Sequence, residues 1–368
     1  MTSSLWLSLG MALFSMGQTG ANAVVQTMSG SAAVQAASQR PVQPVPAVQA
    51  PKYIAGRVDE LGRGFNGRVG VSVRSVDEGW LTSWNGDDLA PQQSVSKLWV
   101  AITALDAVDK GGVRLDDRVT LTRSDLTLFH QPIRSKILGG GHTTTLSDLM
   151  FQALTKSDNT ANDKLMRSVG GPDAVRSMIR DKGLGAIRFY DGERSLQSRI
   201  AGLTWSQSYS IGNAFYQARN ALPMSVRRAA FNRYVEDPYD GASANAIANA
   251  LARLKRGELL SPPSTARLLS IMSRTQTGPN RLKGGLKPGW TLSHKTGTGQ
   301  VLGGTQAGYN DIGILTAPDG RSYSVAVMIK RTSTPLGVRM ALMNNVVRAV
   351  ITQHEMRFAA NYSQLGRR

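Results

Sequence analysis

Cysteine is missing from this chain of 368 residues, and histidine occurs only four times. The missing cysteines exclude disulfide bonds, although a cysteine count alone does not assign a cellular compartment. The histidines stand far apart in sequence, and His354-Glu355 lacks the second histidine of a zinc-binding helix. We therefore expect neither a metal site nor another cofactor.

Acidic residues are scarce as well. The chain has 25 Asp and Glu against 43 Lys and Arg, which gives a formal net charge of +18. This charge suits anionic surroundings such as cell-envelope polymers, membrane headgroups or nucleic acid. Zinc-finger spacing, an RNA-binding aromatic signature and a dense basic block are all missing, so we do not expect nucleic acid as a partner. We interpret the charge as spread over the surface of a soluble protein, which we expect to be a monomer.

The N-terminus has the features of an export signal. An apolar run from Leu5 to Met16 precedes Ala21-Asn22-Ala23, a small-x-small cleavage pattern. The run is shorter than the roughly 20 residues that a membrane span needs. We therefore predict a signal peptide over residues 1–23, cleaved near Ala23, and a periplasmic or secreted product. Because the run has no Lys or Arg before it, an uncleaved interfacial anchor is the alternative.

Residues 24–51 are rich in Ala, Gln and Pro and predict a disordered linker, because each proline fixes φ and removes a hydrogen-bond donor. The folded part is then expected over residues 52–358, with a C-terminal tail over 359–368. Strand-like patterns mark both ends of the folded part, at Val69–Val76, Trp80–Trp84, Trp290–Lys295, Asp311–Thr316 and Tyr323–Arg331.

From about residue 90 to 285 the pattern is mostly helical, and Leu336–Glu355 closes the chain as an amphipathic helix. This order predicts an α+β fold of the α/β sandwich type. An antiparallel sheet of about five strands, built from both chain ends, would be flanked by helices and would carry an inserted all-helical lobe. We expect the active site between the sheet and the lobe.

The tetrapeptide Ser94-Val95-Ser96-Lys97 opens a predicted helix that Gly111-Gly112 ends. A serine and a lysine three residues apart share one face of a helix, so the amine of Lys97 can approach the hydroxyl of Ser94. A serine hydroxyl becomes a good nucleophile only when a neighbouring base takes its proton. Alone, this pattern is weak, because a chain of this length holds about one such match by chance.

Two further motifs accompany the tetrapeptide. They are Ser157-Asp158-Asn159 and, on a predicted strand, Lys295-Thr296-Gly297, which Thr298 follows. Each triplet is expected by chance in roughly one chain in ten. In this order the three motifs resemble those of class A β-lactamases and penicillin-binding proteins. The resemblance extends over about residues 55–355.

The resemblance implies a reaction and a role for each residue. Ser94 would attack the carbonyl of a β-lactam ring and form an acyl-enzyme. Lys97 would lower the free energy needed to remove the proton of Ser94. Ser157 would pass a proton to the departing lactam nitrogen. The backbone N–H groups of Ser94 and Thr298 would hold the oxyanion, a contribution of about 3–4 kcal/mol per donor. The substrate would be bound by Asn159, Lys295, Thr296, Gly297, Thr298 and Gln197.

Hydrolysis of the acyl-enzyme needs a general base. In class A this is the glutamate of a Glu-x-x-Leu-Asn stretch, and the resemblance places Glu193 in that role. Gln197 departs from the family, where asparagine is usual. The segment from Gln197 to Ala242 is also much longer than the family's loop and is rich in aromatic residues. We expect this insertion to form a flap beside the pocket or an extra helix on the outside.

Two residues are weaker candidates for the site. His130 stands where the family often has an aromatic residue at the pocket rim, and a plain surface histidine is the alternative. Arg339, on the last predicted helix, could add positive charge near Lys295, with a solvated arginine as the favoured alternative.

The function that this sequence predicts is a serine β-lactamase for penicillins and cephalosporins. A peptidoglycan D,D-peptidase is one alternative; it would share Ser94, Lys97, Ser157 and Lys295 but would deacylate without Glu193. The other alternative is a sensor domain that is acylated by a β-lactam and stays acylated. Such a domain normally accompanies a membrane helix and a partner domain, which we do not find in this sequence.

Overall fold

The computed structural model describes residues 48–365 of the chain. The predicted signal peptide, and the predicted linker up to residue 47, lie outside the described residues. Among the described residues, no helix is both long and apolar enough to cross a membrane.

The described residues form ten strands, twelve α-helices and four short 3-10 helices. The strands are β1 (Arg68–Ser75), β2 (Leu81–Trp84), β3 (Leu89–Pro91), β4 (Arg118–Leu121), β5 (His142–Thr145), β6 (Gly241–Ser243), β7 (Thr291–Thr298), β8 (Val301–Leu302), β9 (Thr305–Thr316) and β10 (Ser322–Thr332). The α-helices are α1 (Lys52–Arg63), α2 (Lys97–Asp109), α3 (Arg134–Leu138), α4 (Leu146–Thr155), α5 (Asn159–Ser168), α6 (Gly171–Asp181), α7 (Gly192–Ile200), α8 (Ala214–Ala221), α9 (Met224–Glu236), α10 (Ala244–Lys255), α11 (Pro262–Ser273) and α12 (Leu336–Leu365). Short 3-10 helices lie at Gln93–Ser96, Arg123–Asp125, Gln207–Ser210 and Leu282–Gly285.

The main sheet is antiparallel and combines both ends of the described chain. Its strand order is β2-β1-β10-β9-β7, and β8 pairs with β9. Residues of β10 alternate between two hydrophobic cores, as the period of a strand requires. Val325 and Val327 belong to the core that contains α1 and α12, whereas Ala326 and Met328 belong to the core under α10 and the helical lobe. The predicted sheet of about five strands from both chain ends is confirmed.

The helical lobe lies between β3 and β7 and is organised around α2. Every residue of α2 from Lys97 to Leu105 is buried, because other helices of the lobe surround it. The lobe is helical except for two small antiparallel sheets, in which β3 pairs with β6 and β4 with β5. The three sequence motifs lie where this lobe meets β7.

The first helix begins at the predicted start of the folded part, whereas the last helix is longer than predicted. Residues 52–63 form helix α1, which buries Ile54 and Val58 at the spacing of one helical turn. The last helix was predicted to end at Glu355, but α12 continues to Leu365. Residues 359–365 of the predicted tail therefore belong to this helix, since neither glycine nor proline occurs between Val338 and Leu365.

Candidate functional site

Ser94 lies in the 3-10 turn Gln93–Ser96, and α2 begins only at Lys97. The sequence pattern predicted Ser94 in the first turn of the α-helix itself. The difference has a local cause, since Gln93 adopts a φ of 54°, in the left-handed region, and the Val95 N–H bonds to the Gln92 carbonyl. The spacing to Lys97 survives this change, because the Lys97 Nζ lies 2.8 Å from the Ser94 Oγ.

Lys97 contacts both the hydroxyl of Ser94 and a carboxylate. Besides its contact with Ser94, its amine forms an ion pair with Glu193, and both side chains are almost completely buried. A buried ion pair is stable only when hydrogen bonds satisfy the remaining polar atoms. The Ser94 hydroxyl provides one of these partners for the amine.

Glu193 sits in the first turn of α7, and two neighbours fix its position. Asp163 on α5 accepts the Glu193 backbone N–H at 2.9 Å, which ties the start of α7 to the lobe. Gln197, one turn later, donates to the Glu193 Oε2 at 3.1 Å. Burial, reinforced by the Glu193 charge, raises the pKa of Asp163.

The second motif forms the opposite wall. Ser157 has a φ of 60°, a conformation that non-glycine residues adopt rarely and that is concentrated at functional sites. Asp158 caps α5, since its carboxylate accepts the backbone N–H groups of Ala161 and Ile133. The Asn159 Nδ2 donates to the Leu128 carbonyl at 2.9 Å, so the motif is held from both sides.

Lys295 joins the second and third motifs. Its fully buried amine donates to the Ser157 Oγ at 2.9 Å and to its neighbour's carbonyl, that of Thr296, at 3.0 Å. Burial, followed by the nearby charge of Lys97, lowers the pKa of Lys295 well below its usual range. Lys97 therefore contacts the hydroxyl of Ser94, and Lys295 contacts the hydroxyl of Ser157.

Gly297 lies against the turn that carries Ser94. A Cβ at this position would stand 2.3 Å from the Gln92 carbonyl oxygen, closer than any real side chain can approach. At Gly299 a Cβ would stand 1.7 Å from the Ala307 carbonyl oxygen. Glycine is therefore required at both positions by close packing of the backbone.

Arg281 is a residue of this site that sequence analysis missed. It donates to the Gly297 and Asn310 carbonyls and, at 2.6 Å, to the Thr298 Oγ1. Its guanidinium also stacks 3.8 Å from the centre of the Tyr309 ring. No motif surrounds it in the sequence, so only the fold brings it to β7.

The predicted site residues converge on one cavity of about 470 Å³. Six of them line it, namely Ser94, Ser157, Asn159, Gln197, Thr296 and Thr298. The other four, Lys97, Glu193, Lys295 and Gly297, lie directly behind and contact the first group or its backbone. The lining is completed by the weaker candidate His130 and by residues that sequence analysis did not assign: Phe129, Tyr216, Arg219, Thr277, Arg281, Gly299, Gln300 and Val301.

The insertion has two parts, one that lines the cavity and one that packs into a small core. Tyr216 and Arg219 of α8 line the cavity, which agrees with the expected flap. Helix α9 packs Phe231 and Tyr234 into a small core with Leu196 of α7, which agrees with the expected extra helix. The two interpretations therefore describe different halves of the same segment.

The two weaker candidates have opposite outcomes. His130 is exposed at the cavity rim, and its Nε2 lies 2.8 Å from the Lys156 carbonyl oxygen. Arg339 is buried, donates to Gln306 and to the Thr334 carbonyl, and is not part of the cavity lining. The favoured alternative, a solvated arginine, is wrong, because the ring of Tyr309 and these two partners enclose Arg339.

Among residues 48–365, no three side chains of His, Asp or Glu cluster in a way that could hold a metal ion. The polar groups of the cavity are instead hydroxyls, amides and cations. This set can activate a hydroxyl, stabilise an oxyanion and bind a carboxylate.

Comparison with known proteins agrees with this chemistry. A sequence profile of the β-lactamase enzyme family matches residues 54–354. β-Lactamase VEB-1 of Pseudomonas aeruginosa is 26% identical over 293 residues, which cover 79% of this chain and 87% of the relative. The extended-spectrum β-lactamase PER-1, also of Pseudomonas aeruginosa, is 28% identical over 291 residues, covering 79% of this chain and 83% of the relative.

Solved structures show the same similarity. A β-lactamase of Chitinophaga pinensis has a TM-score of 0.66 and 29% identity, and the match covers 81% of this chain and 97% of that one. An ancestral class A β-lactamase has a TM-score of 0.65 and 29% identity over 82% of this chain and 99% of its own. The chain therefore belongs to the β-lactamase enzyme family and, within it, to class A.

Proposed function

We propose that this protein hydrolyses the amide bond of penicillins and cephalosporins through a covalent acyl-enzyme on Ser94. The observation that carries the proposal is the continuous contact from the Ser94 hydroxyl through Lys97 to Glu193. This arrangement joins a nucleophile, a cation and a carboxylate in a buried site beside a cavity. The relatives' names point to the same activity.

In the acylation step, the Ser94 Oγ attacks the lactam carbonyl carbon while its proton passes to the Lys97–Glu193 pair. The C–N bond of the ring then breaks, and Ser157 delivers its proton to the nitrogen while it receives the proton of Ser94 from the Lys97–Glu193 pair. Lys295 supports this transfer, because its amine donates to the Ser157 Oγ and stabilises negative charge there. Overall, one proton moves from the serine to the lactam nitrogen.

The oxyanion is assigned to the backbone N–H groups of Ser94 and Thr298. The Gly299 N–H donates to the Gly308 carbonyl within the sheet. Because N–H groups of successive strand residues alternate in direction, that of Thr298 is expected to face the free edge of β7. Gly297 allows β7 to approach the turn of Ser94, which brings the two donors to the same wall.

In the deacylation step, Glu193 takes a proton from water, and the hydroxide attacks the ester carbonyl. The bond to the Ser94 Oγ breaks, and the serine regains its proton. Gln197 would orient this water, since its amide is fixed against Glu193 and also lines the cavity. Buried Glu193 favours this role over that of a D,D-peptidase, which deacylates without such a base.

The substrate carboxylate is assigned to the end of the cavity at β7. Lys295 supplies a cation there, and the hydroxyls of Thr296 and Thr298 can donate to a carboxylate oxygen. Arg281 adds a second cation, in contact with Thr298. Asn159, on the other wall, would hydrogen-bond the amide of the substrate's side chain.

The test is turnover of a chromogenic cephalosporin by the purified protein and by two variants. Ser94→Ala should abolish turnover. Glu193→Gln should be acylated but should release product about 10²–10⁴-fold more slowly, so that mass spectrometry detects a trapped adduct. Wild-type protein that is acylated once and then stops would contradict the proposal. Normal turnover of Glu193→Gln would show that another group is the base.

We also propose that the protein is exported and cleaved near Ala23. N-terminal sequencing of the protein recovered from the periplasm or medium tests this. A mature protein that begins within a few residues of Ala23 is expected. Protein that still begins at Met1 would contradict cleavage.

A further inference from the structure

Helix α8 of the insertion places an arginine in the wall of the cavity that also contains Ser94. The guanidinium of Arg219 lies over the rings of Tyr216 and Phe215, 5.2 and 5.9 Å from their centres. Both Arg219 and Tyr216 line the cavity that contains Ser94. Phe215 itself is buried, so the aromatic support of the arginine is anchored in the fold.

The contacts of Phe129 show which end of the cavity this is. Phe129 meets Phe215 edge to face, with 5.1 Å between the ring centres. The residue before it, Leu128, accepts the side-chain amide of Asn159. Arg219 therefore stands on the Asn159 side, where the acyl side chain of a β-lactam is assigned, and away from β7 with its cations for the ring carboxylate.

Arg219 makes no ion pair within residues 48–365, and its Nε is buried without a hydrogen-bond partner there. Two arginines on neighbouring helices have polar partners. Arg199 of α7 also stacks on aromatic rings, but it donates to the Tyr190 hydroxyl, and Arg167 pairs with Asp125. No hydrogen bond or ion pair among the described residues uses the Arg219 Nη1 or Nη2 either, so these donors are available to a ligand in the cavity.

We propose that Arg219 binds an anionic group on the acyl side chain of the substrate, so that the enzyme favours β-lactams with a second carboxylate. This inference rests on the proposed β-lactamase activity. A guanidinium offers a planar fork of N–H donors that matches a carboxylate, and stacking on Tyr216 presents this fork in one orientation. Phe129 and Tyr216 would contact an aryl group beside the carboxylate.

The test compares carbenicillin with benzylpenicillin, since the two differ only by a carboxylate on the side-chain α-carbon. Acylation rate constants and kcat/KM are measured for both with wild type, Arg219→Gln and Arg219→Lys. Arg219→Gln should lower kcat/KM for carbenicillin about tenfold or more relative to benzylpenicillin. Arg219→Lys, which keeps the charge but not the fork, should recover part of this ratio.

The control is Arg228→Gln, which removes an equal charge from an exposed position on α9 outside the cavity lining. It should leave the ratio unchanged, and thermal unfolding of each variant reports whether the fold is intact. A ratio that Arg219→Gln does not change, or an equal loss for both penicillins, would overturn the inference while leaving the β-lactamase proposal in place. If neither penicillin acylates the wild type, both proposals fail.

Discussion

The side-chain amide of Gln197 bridges two groups that determine the site, because its Nε2 donates to the Glu193 Oε2 at 3.1 Å and to the Gln93 Oε1 at 3.0 Å. On its other side, the Gln300 Nε2 donates to the Gln197 Oε1 at 3.0 Å. The amide is therefore held at both ends, although its side chain is one methylene longer than the asparagine usual in class A. The neighbours Gln93 and Gln300 fit this longer side chain.

Replacing Gln197 should slow deacylation more than acylation. In Gln197→Ala the Glu193 carboxylate loses one donor, and the proposed water loses its second partner. We expect kcat to fall about 10- to 100-fold, with a pre-steady-state burst of one product per enzyme. Stopped-flow measurement with a chromogenic cephalosporin checks this.

Ser195→Ala is the matched control for Gln197→Ala, since Ser195 lies on the same helix but does not line the cavity. It should keep the wild-type kcat. If Gln197→Ala instead raised KM with an unchanged kcat, Gln197 would act in binding and not in water orientation.

Arg281 should be needed for the carboxylate of the substrate. Arg281→Ala removes a cation that contacts Thr298, so kcat/KM should fall about 10- to 100-fold, mainly through KM. Arg274→Ala, an exposed arginine outside the cavity, serves as the control and should retain activity. An unchanged KM in a folded Arg281→Ala variant would contradict this assignment.

Gly297 should tolerate no side chain. In Gly297→Ala the new Cβ would collide with the Gln92 carbonyl oxygen, so β7 must move away from the turn of Ser94. We expect a loss of about 1–3 kcal/mol in the free energy of unfolding and a larger loss in the acylation rate. Denaturant titration and acylation kinetics measure the two effects.

Gly56→Ala gives the contrasting outcome. Gly56 lies in α1, and nothing stands within 4 Å of a Cβ at that position. The substitution should stabilise the protein by roughly 0.5–1 kcal/mol, because alanine favours a helix interior, and should leave acylation unchanged. If Gly297→Ala and Gly56→Ala changed the acylation rate equally, close packing at Gly297 would not be needed for acylation.

Asp240 should make folding depend on pH. It is buried against the Gln93 N–H and the Tyr234 hydroxyl, and burial raises its pKa to about 6. An unfolded aspartate has a pKa of about 4, so the folded state binds more protons between about pH 4 and 6. The contribution of the Asp240 carboxyl to the free energy of unfolding is therefore complete below about pH 4 and is lost as the pH rises through 6.

Comparison of wild type with Asp240→Asn isolates that effect, since asparagine does not titrate. From pH 4 to pH 7 the free energy of unfolding of the wild type, relative to Asp240→Asn, should fall by up to about 3 kcal/mol. Urea titrations across this range measure it, with the exposed Asp181→Asn as control. A difference that stays constant, or grows with pH, would contradict burial as the cause.

Local sequence alone determined the parts that depend on short spacings. The residue pattern of Tyr323–Arg331 predicted a strand, and the structure shows that this strand divides its residues between two cores. A spacing of three residues was enough to bring the amine of Lys97 to the hydroxyl of Ser94, even though the turn is a 3-10 helix. The motifs of Ser157 and Lys295 each predicted a site residue, but their mutual hydrogen bond spans 138 positions and is a property of the fold.

Tertiary structure decided the positions of residues that no motif or periodicity marks in the sequence. Arg281 reaches Thr298, and Arg219 reaches the cavity, because separate segments pack together; no periodicity or motif in the sequence encodes either contact. The reverse holds for Arg339, whose position on the last helix suggested a cation near Lys295 but whose packing against Tyr309 encloses it. Spacing along the chain sets local conformation, whereas packing between distant segments decides which side chains share the cavity with Ser94.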